Sequence, residues 1–115
     1  MNAGQRGEDA VARWAAERGW TLLERNWRCP CGEIDLIARE GKTVVFVEVK
    51  SRSGSGFGTG RQSVGAAKQR RIARAGAMFL QARRWLSVQV RFDVVEYDLA
   101  TETVTHIPAA FEAGF

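Results

Sequence analysis

The segments GEIDLIA (residues 32–38) and VFVEVK (residues 45–50) place charged side chains among residues that are typical of a buried β-sheet. Asp35, Glu48 and Lys50 stand between isoleucine, leucine, valine and phenylalanine. Because an unpaired buried carboxylate costs several kcal/mol, these charges need a partner or a metal ion. This conflict between burial and charge is the first indication of function.

The two segments predict a β-hairpin. Strands over residues 33–39 and 43–50 are separated by the turn signal EGK. A two-residue loop with Gly41 in its first position suits a type II′ turn, and it makes Glu40 face Thr43. The register of the whole hairpin follows from this loop.

That register places Asp35 opposite Glu48 and Glu33 opposite Lys50. Like charges directly opposite each other destabilise an antiparallel pair, so a divalent cation between Asp35 and Glu48 would turn repulsion into coordination. Hard oxygen ligands suit Mg²⁺ or Mn²⁺. Lys50 lies two residues beyond Glu48 and projects from the same face of the strand. The alternative is a structural ion pair in which Lys50 bridges Glu48 and Glu33.

The remaining sequence predicts helices and strands around the hairpin. The predicted elements are a helix over residues 4–18, strands over residues 20–27, 33–39, 43–50, 88–98 and 103–107, a glycine-rich loop over residues 51–60, and a long helix over residues 64–85. Pro108 ends the last strand, and we expect a loosely held tail after it. Two helices among five strands indicate the α/β class.

Length and composition predict a single domain without a membrane segment. The chain has 115 residues, of which 45% are hydrophobic, as expected for one core. No stretch approaches the roughly 20 apolar residues that span a bilayer, and the N-terminus has no apolar run typical of a signal peptide. A cytoplasmic protein is expected.

The charge is distributed unevenly along the chain. The net charge is +4, and seven basic residues but no acidic residue fall within residues 61–85. Such asymmetry favours a surface that binds a polyanion. A solvated helix face is the alternative.

Cys29 and Cys31 flank Pro30, so a disulfide between them would close a strained ring. We therefore predict free thiols. A zinc site would need about two more ligands, and the single histidine, His106, is distant in sequence. Two loop thiols are favoured over zinc.

Three further charged residues, Glu8, Arg91 and Asp93, are candidates for structural or functional roles. Glu8 can point inward from the first helix as a third carboxylate, or it can simply stabilise the first helical turn through the macrodipole. Arg91 and Asp93 share a face of the fourth strand, which favours a salt bridge. The tryptophans are interpreted as core or rim residues rather than base-stacking platforms.

The spacing of the charged residues resembles a known nuclease pattern. The chain resembles the D…(D/E)-x-K core of the PD-(D/E)xK nuclease superfamily. Asp35 is followed by twelve residues and then by Glu48-Val49-Lys50. A wider pattern resembles the YraN-like (UPF0102) family over nearly the whole chain. It comprises Glu8, Arg25-Asn26, GEIDLIA, VFVEVKSR, Phe57-Gly58, Lys68 and Arg91-Phe92-Asp93.

This resemblance implies a restriction-endonuclease-like three-layer fold, similar in layout to archaeal Holliday junction resolvases. A central mixed five-stranded sheet would be flanked by helices in the order α-β-β-β-α-β-β. Asp35, Glu48 and the carbonyl of Val49 would be metal ligands. Lys50 would be the catalytic lysine, and Glu8 would be a helix-borne acid that takes part in catalysis and metal binding.

The resemblance also implies nucleic acid as the partner, with DNA favoured. The candidate contacts to the phosphate backbone are Arg52, Arg61, Lys68, Arg71 and Arg74. The implied activity is a Mg²⁺- or Mn²⁺-dependent endonuclease, with branched DNA in repair or recombination as a candidate substrate. A resolvase-like role predicts a symmetric homodimer. The alternatives are a nucleic-acid-binding protein that retains the fold without turnover, and a structural or protein-interaction domain.

Overall fold

A mixed five-stranded sheet lies between two helices in the computed structural model, which describes residues 2–53 and 64–112. The elements are α1 (Ala3–Glu17), β1 (Thr21–Cys29), β2 (Gly32–Glu40), β3 (Thr43–Arg52), α2 (Ala66–Arg83), β4 (Gln89–Asp98) and β5 (Thr103–Phe111). The strands lie in sequence order, β3 and β4 are parallel, and the other neighbours are antiparallel. The predicted α/β fold and order of elements are confirmed.

The hairpin of β2 and β3 has the predicted loop. Glu40 pairs with Thr43, and Gly41 has a φ of 59°, a conformation that glycine adopts at little cost and that suits the first position of a type II′ turn. The ladder continues as far as Leu36 and Val47. It therefore ends one step before Asp35 and Glu48 would meet.

Each face of the sheet packs against one helix. Val44 and Phe46 belong to the cluster under α2, whereas Val45 and Val47 belong to the cluster under α1. Gly76 lets α2 come close to the sheet, because an added Cβ would lie 3.2 Å from the ring of Phe46. Alternation along β3 then directs its later even-numbered side chains towards α2.

Four predicted boundaries in the middle of the chain are wrong. β1 extends to Cys29, and β3 extends through Arg52, so the predicted loop cannot begin at residue 51. Helix α2 begins at Ala66 rather than residue 64 and ends at Arg83, because Arg84 takes up a left-handed conformation with a φ of 60°. The remainder of the predicted loop, Phe57-Gly58 and Arg61 lie outside the described residues.

The expected end of β5 at residue 107 and the loosely held tail after Pro108 are also wrong. The strand continues to Phe111, whose ring centroid lies 5.2 Å from that of Phe92. Ala110 is buried, and the backbone N–H of Ala109 donates a hydrogen bond to Asp93. Long-range contacts thus continue the strand past a residue that usually ends one.

The predicted pair of Arg91 and Asp93 is confirmed. Arg91 donates to both oxygens of the fully buried Asp93 carboxylate, at 2.8 and 2.9 Å, and donates to Glu40 at 2.7 Å. His106 Nε2 lies 2.7 Å from the same Asp93 carboxylate. Burial alone would raise the pKa of Asp93, but hydrogen bonds from His106 and Arg91 outweigh it and hold that pKa below its ordinary value.

Aromatic rings surround this polar network on the α1 side of the sheet. Trp20 donates its indole N–H to Glu40, and the rings of Trp14 and Trp20 contact His106 edge to face. Trp27 and Trp85 contact Phe79. The tryptophans are core or rim residues, as predicted.

No helix in the described parts of the chain is long and apolar enough to cross a membrane.

We expect Asp93→Asn to lower the free energy of unfolding by about 3 kcal/mol, because it breaks a buried charge pair. Since the folded pKa of Asp93 is lowered, its contribution is fully present above an unfolded pKa of about 3.9 and is lost as the pH falls through the folded pKa. Urea unfolding of both proteins at pH 7 and in acid measures this difference.

Glu24→Gln is the matched control, because Glu24 pairs with Arg83 at 2.8 Å on the partly exposed surface. It should cost less than about 1 kcal/mol. Equal losses for Asp93→Asn and Glu24→Gln would contradict a special role of the buried pair.

Candidate active site

Glu48 and two lysines meet on the α2 side of the sheet. The Glu48 side chain is only 6% exposed, and its Oε1 contacts Lys68 Nζ and lies 3.7 Å from Lys50 Nζ. Glu48 and Lys50 share a face of β3, as predicted, and helix α2 adds Lys68. The structural alternative in which Lys50 bridges to Glu33 is not what forms, because Glu33 pairs with Arg28 at 3.2 Å.

Strand β2 becomes irregular where it reaches this cluster. Ile34 and Ile37 pack in the same cluster under α2 although they are three positions apart, so the alternation of side chains breaks between them. Asp35 lies at this break and accepts a hydrogen bond from the backbone N–H of Val49 at 2.8 Å. The predicted facing pairs Asp35–Glu48 and Glu33–Lys50 fall beyond the regular ladder, and Asp35 reaches β3 through its side chain instead.

The surroundings of Asp35 favour its protonated form. Burial is the largest cause and the negative charge of Glu48 the second, and together they raise the pKa of Asp35 to about 7. Glu8 raises this pKa further, whereas the Val49 N–H and the charge of Lys68 oppose the increase. A cation close to Asp35 would remove this penalty, since it would favour the charged carboxylate.

The surroundings shift the pKa values of Lys50 and Lys68 in opposite directions. Burial lowers the pKa of Lys50, and the charge of neighbouring Lys68 lowers it further, while Glu48 partly compensates. Burial lowers the pKa of Lys68 as well, but the hydrogen bond that Lys68 donates to Glu48 outweighs this effect. The pKa of Lys68 is therefore raised overall. Lys68 is therefore the principal counterion of Glu48, a role that was not predicted from the sequence.

Helix α1 brings Glu8 towards Asp35. The helix begins at Ala3 with Asn2 as its N-cap, and its first turn holds no acidic residue, so the alternative in which Glu8 stabilises the first turn is wrong. Gly7 packs so closely on β3 that an added Cβ would clash with the side chain of Ser51. Glu8 is half-buried, with its Oε1 4.0 Å from Arg25, and its charge reaches Asp35.

Glu96 is a further carboxylate that was missed in the sequence. It is the neighbour of Lys50 in the parallel ladder of β3 and β4, and it is only 1% exposed. Within the described part of the chain its Oε2 has no hydrogen-bond partner. Burial raises the pKa of Glu96, although the charge of Arg52 opposes this. The sequence did contain a signal for this position, because Glu96 continues the every-second-residue pattern of the inward-facing Phe92 and Val94.

The donor atoms fit a hard divalent cation better than a soft one. Asp35 and Glu48 offer carboxylate oxygens, and the hydrogen bond to Asp35 holds the Val49 backbone beside them. Among the described residues, no three side chains of histidine, cysteine, aspartate or glutamate converge at metal-binding geometry. Mg²⁺ usually takes one or two carboxylates and completes its shell with water and substrate phosphate, so this donor set is sufficient.

A cleft of about 630 Å³ is lined by Lys68, the residue that contacts Glu48, whereas Asp35 and Glu48 themselves are not in its lining. It lies between the turn that joins β1 to β2 and the first turns of α2, and Arg28, Lys68 and Arg71 contribute to its lining. Arg74 is exposed on the same helix, and Arg52 is half-buried at the end of β3. Arg28 also lines a second concavity of about 480 Å³ beside Glu8. Positive charge thus borders the cleft next to Glu48.

Comparisons with known proteins agree on one family. The family described as "Uncharacterised protein family UPF0102" matches residues 7–97. A UPF0102 protein of Syntrophus aciditrophicus is 43% identical over 117 residues, covering 100% of this chain and 92% of the relative. One of Moorella thermoacetica is 47% identical over 92 residues, covering 80% and 77% respectively.

A solved structure described as "The structure of Pyrococcus Furiosus SfsA in complex with Ca2+" is 14% identical to this chain, with a TM-score of 0.36. The alignment covers 92% of this chain, which spans 62% of that longer chain. A likeness this weak supports no conclusion about function.

We expect Asp35→Asn to stabilise the metal-free protein at pH 8. Because the folded pKa of Asp35 is about 7 against an ordinary 3.8, the folded chain holds a proton that the unfolded chain releases, and stability falls as the pH rises through this interval. Asparagine has no charge to bury, so the gain in melting temperature should disappear near pH 4. Thermal unfolding with a chelator present measures the difference.

Glu33→Gln is the control for this measurement, because the Glu33 side chain is 61% exposed. Its effect should not change across the same pH range. A stability difference for Asp35→Asn that is equally independent of pH would contradict the raised pKa.

Proposed function

This chain belongs to the protein family UPF0102, and we propose that it is a Mg²⁺- or Mn²⁺-dependent nuclease that hydrolyses phosphodiester bonds in DNA in the cytoplasm. The observation that carries the proposal is the meeting of Asp35, Glu48 and Lys50 at one end of the sheet. Two carboxylates that disfavour each other's charge, beside an ammonium group, suit a cation and a phosphate better than they suit a structural core.

Asp35, Glu48 and the carbonyl of Val49 would hold the cation. Glu8, whose charge reaches Asp35, would bind it as well or orient a water ligand. A bound Mg²⁺ or Mn²⁺ would polarise the phosphoryl oxygen and make water a better nucleophile. The hydrogen bond from the Val49 N–H keeps one Asp35 oxygen in place. The second oxygen of Asp35 is then the one available to a ligand.

Lys50 would stabilise the negative charge that develops on phosphorus-bound oxygens during hydrolysis. Its position 3.7 Å from Glu48 keeps the ammonium group beside the carboxylates, where a scissile phosphate would lie. Lys68 would neutralise Glu48 in the absence of substrate and could exchange that carboxylate for a phosphate oxygen. Both lysines thus favour an anionic substrate.

The cleft beside these residues would hold the sugar–phosphate backbone. Arg71 and Arg74 are exposed along α2, and Arg52 extends from the end of β3. Contacts of this kind position a duplex or a single strand without reading its sequence. A symmetric dimer would present two such sites to branched DNA, which is the arrangement that repair or recombination would need.

A nucleic-acid-binding protein without turnover is the second candidate. The contact between Lys68 and Glu48 favours it, because this pair satisfies the buried carboxylate without a metal ion. Such a protein would bind DNA in the presence of a chelator and would keep that affinity when the acids are neutralised.

We expect the purified protein to cleave DNA with Mg²⁺ or Mn²⁺, and Glu48→Gln and Lys50→Ala each to lower the rate about 100-fold or more. Branched, flapped, single-stranded and duplex substrates should be compared in parallel. Lys42→Ala is the matched lysine control, because Lys42 is exposed at the opposite end of β3 and should leave the rate unchanged. Equal residual activity in all variants would indicate a contaminant and refute the enzyme.

We expect DNA binding in chelator to weaken with salt, and Arg71→Ala and Arg74→Ala each to reduce the slope of log affinity against log salt by about 1. Arg39→Ala, an exposed arginine near the β2–β3 turn, should leave the slope unchanged. Fluorescence anisotropy at several salt concentrations measures this slope. Identical slopes for all three variants would exclude α2 as the DNA-binding surface.

A further inference from the structure

Cys31 contacts two other sulfur atoms where the turn between β1 and β2 meets helix α2. The free thiols of Cys29 and Cys31 lie 2.8 Å apart, and Cys31 Sγ lies 3.3 Å from Met78 Sδ. Both cysteines are half-buried, and Met78 is 41% exposed. The predicted free thiols are thus confirmed, but they have a thioether neighbour that sequence spacing did not reveal.

The fold itself brings these sulfurs together. Gly32 follows Cys31 with a φ of 157°, and an added Cβ there would lie 3.3 Å from both the Cβ and the carbonyl oxygen of Arg71. The turn therefore lies close to the helix backbone at a point where any side chain would be strained. Met78 lies two helical turns beyond Arg71 and so shares its side of α2.

The chemistry of these donors selects a soft cation. Hard ions such as Mg²⁺ prefer oxygen, and zinc sites rarely include a thioether. The zinc alternative would also need His106, which contacts Asp93 on the α1 side of the sheet, whereas both cysteines pack on the α2 side. Thiolates together with a thioether suit Cu(I).

We propose that Cys29, Cys31 and Met78 form a binding site for a single Cu(I) ion. The cation would replace the two thiol protons, which pass to solvent, and no oxidation or reduction takes place. Two thiolates and Cu(I) carry one net negative charge, and Arg71 in the cleft wall and Arg74, whose charge reaches Cys31, would balance it.

A thiolate is the form of cysteine that binds a metal, so binding of the cation releases the thiol protons. This proposal does not depend on the nuclease activity, since neither Asp35 nor Glu48 is a ligand.

The test is an anaerobic titration of the reduced full-length chain with Cu(I) in competition with a chromophoric Cu(I) chelator. We expect the native chain to withdraw one Cu(I) per chain from the chelator. The Cys31→Ser variant should withdraw none. Since losing even an outer-shell partner commonly lowers metal affinity about 10-fold or more, Met78→Leu should weaken binding by at least that factor. Circular dichroism checks the fold, and Cys29→Ser replaces Cys31→Ser if that variant does not fold.

A double variant separates the position of the thioether from its mere presence. Leu22 on β1 is 41% exposed, the same fraction as Met78, so Leu22→Met in the Met78→Leu background restores the number of thioethers at another place. It should not restore affinity. Three results would overturn the proposal. They are restored Cu(I) affinity in the double variant, Cu(I) affinity of Met78→Leu equal to that of the native chain, and a native chain that withdraws no more Cu(I) from the chelator than Cys31→Ser does.

Discussion

The register of the β2–β3 hairpin is the constraint on which the rest of the structure depends. Because side chains alternate along a strand, a slip of one residue would exchange the two faces of the sheet. The positive φ of Gly41 fixes the loop, and the loop fixes Phe46 under α2 and Val47 under α1. The same alternation leaves Glu48 on the α2 side, where Lys68 can reach it.

The ladder between β2 and β3 ends where the charged residues begin, whereas the β1–β2 and β3–β4 ladders continue past that point. Ladder pairing satisfies backbone groups as far as Leu36 and Val47, and beyond this point the Asp35 carboxylate, rather than a backbone carbonyl, accepts the Val49 N–H. A carboxylate held in this way is close to β3 yet keeps one oxygen for another ligand. The β2–β3 pair therefore forgoes the backbone hydrogen bonds of a longer ladder, and acidic side chains occupy that place instead.

Two charged clusters occupy the sheet, and they differ in how completely they are paired. Around Asp93, arginine, histidine and a backbone N–H supply enough donors to keep the carboxylate charged despite its full burial. Around Asp35, burial and then the negative charge of Glu48 raise the pKa to about 7. The first cluster therefore joins strands, whereas the second holds unfavourable charge that a cation and a phosphate could relieve.

The sequence by itself determined the fold class, the order of elements, the hairpin loop and the shared face of Glu48 and Lys50, because these follow from local turn chemistry and from alternation along one strand. Only the tertiary structure decided the break in β2 at Asp35, the pairing of Lys68 with Glu48, and the meeting of Cys31 with Met78. The last two depend on how closely α2 packs against the sheet. That distance is set by contacts such as Gly32 on Arg71, between residues far apart in the chain, and no local pattern records it.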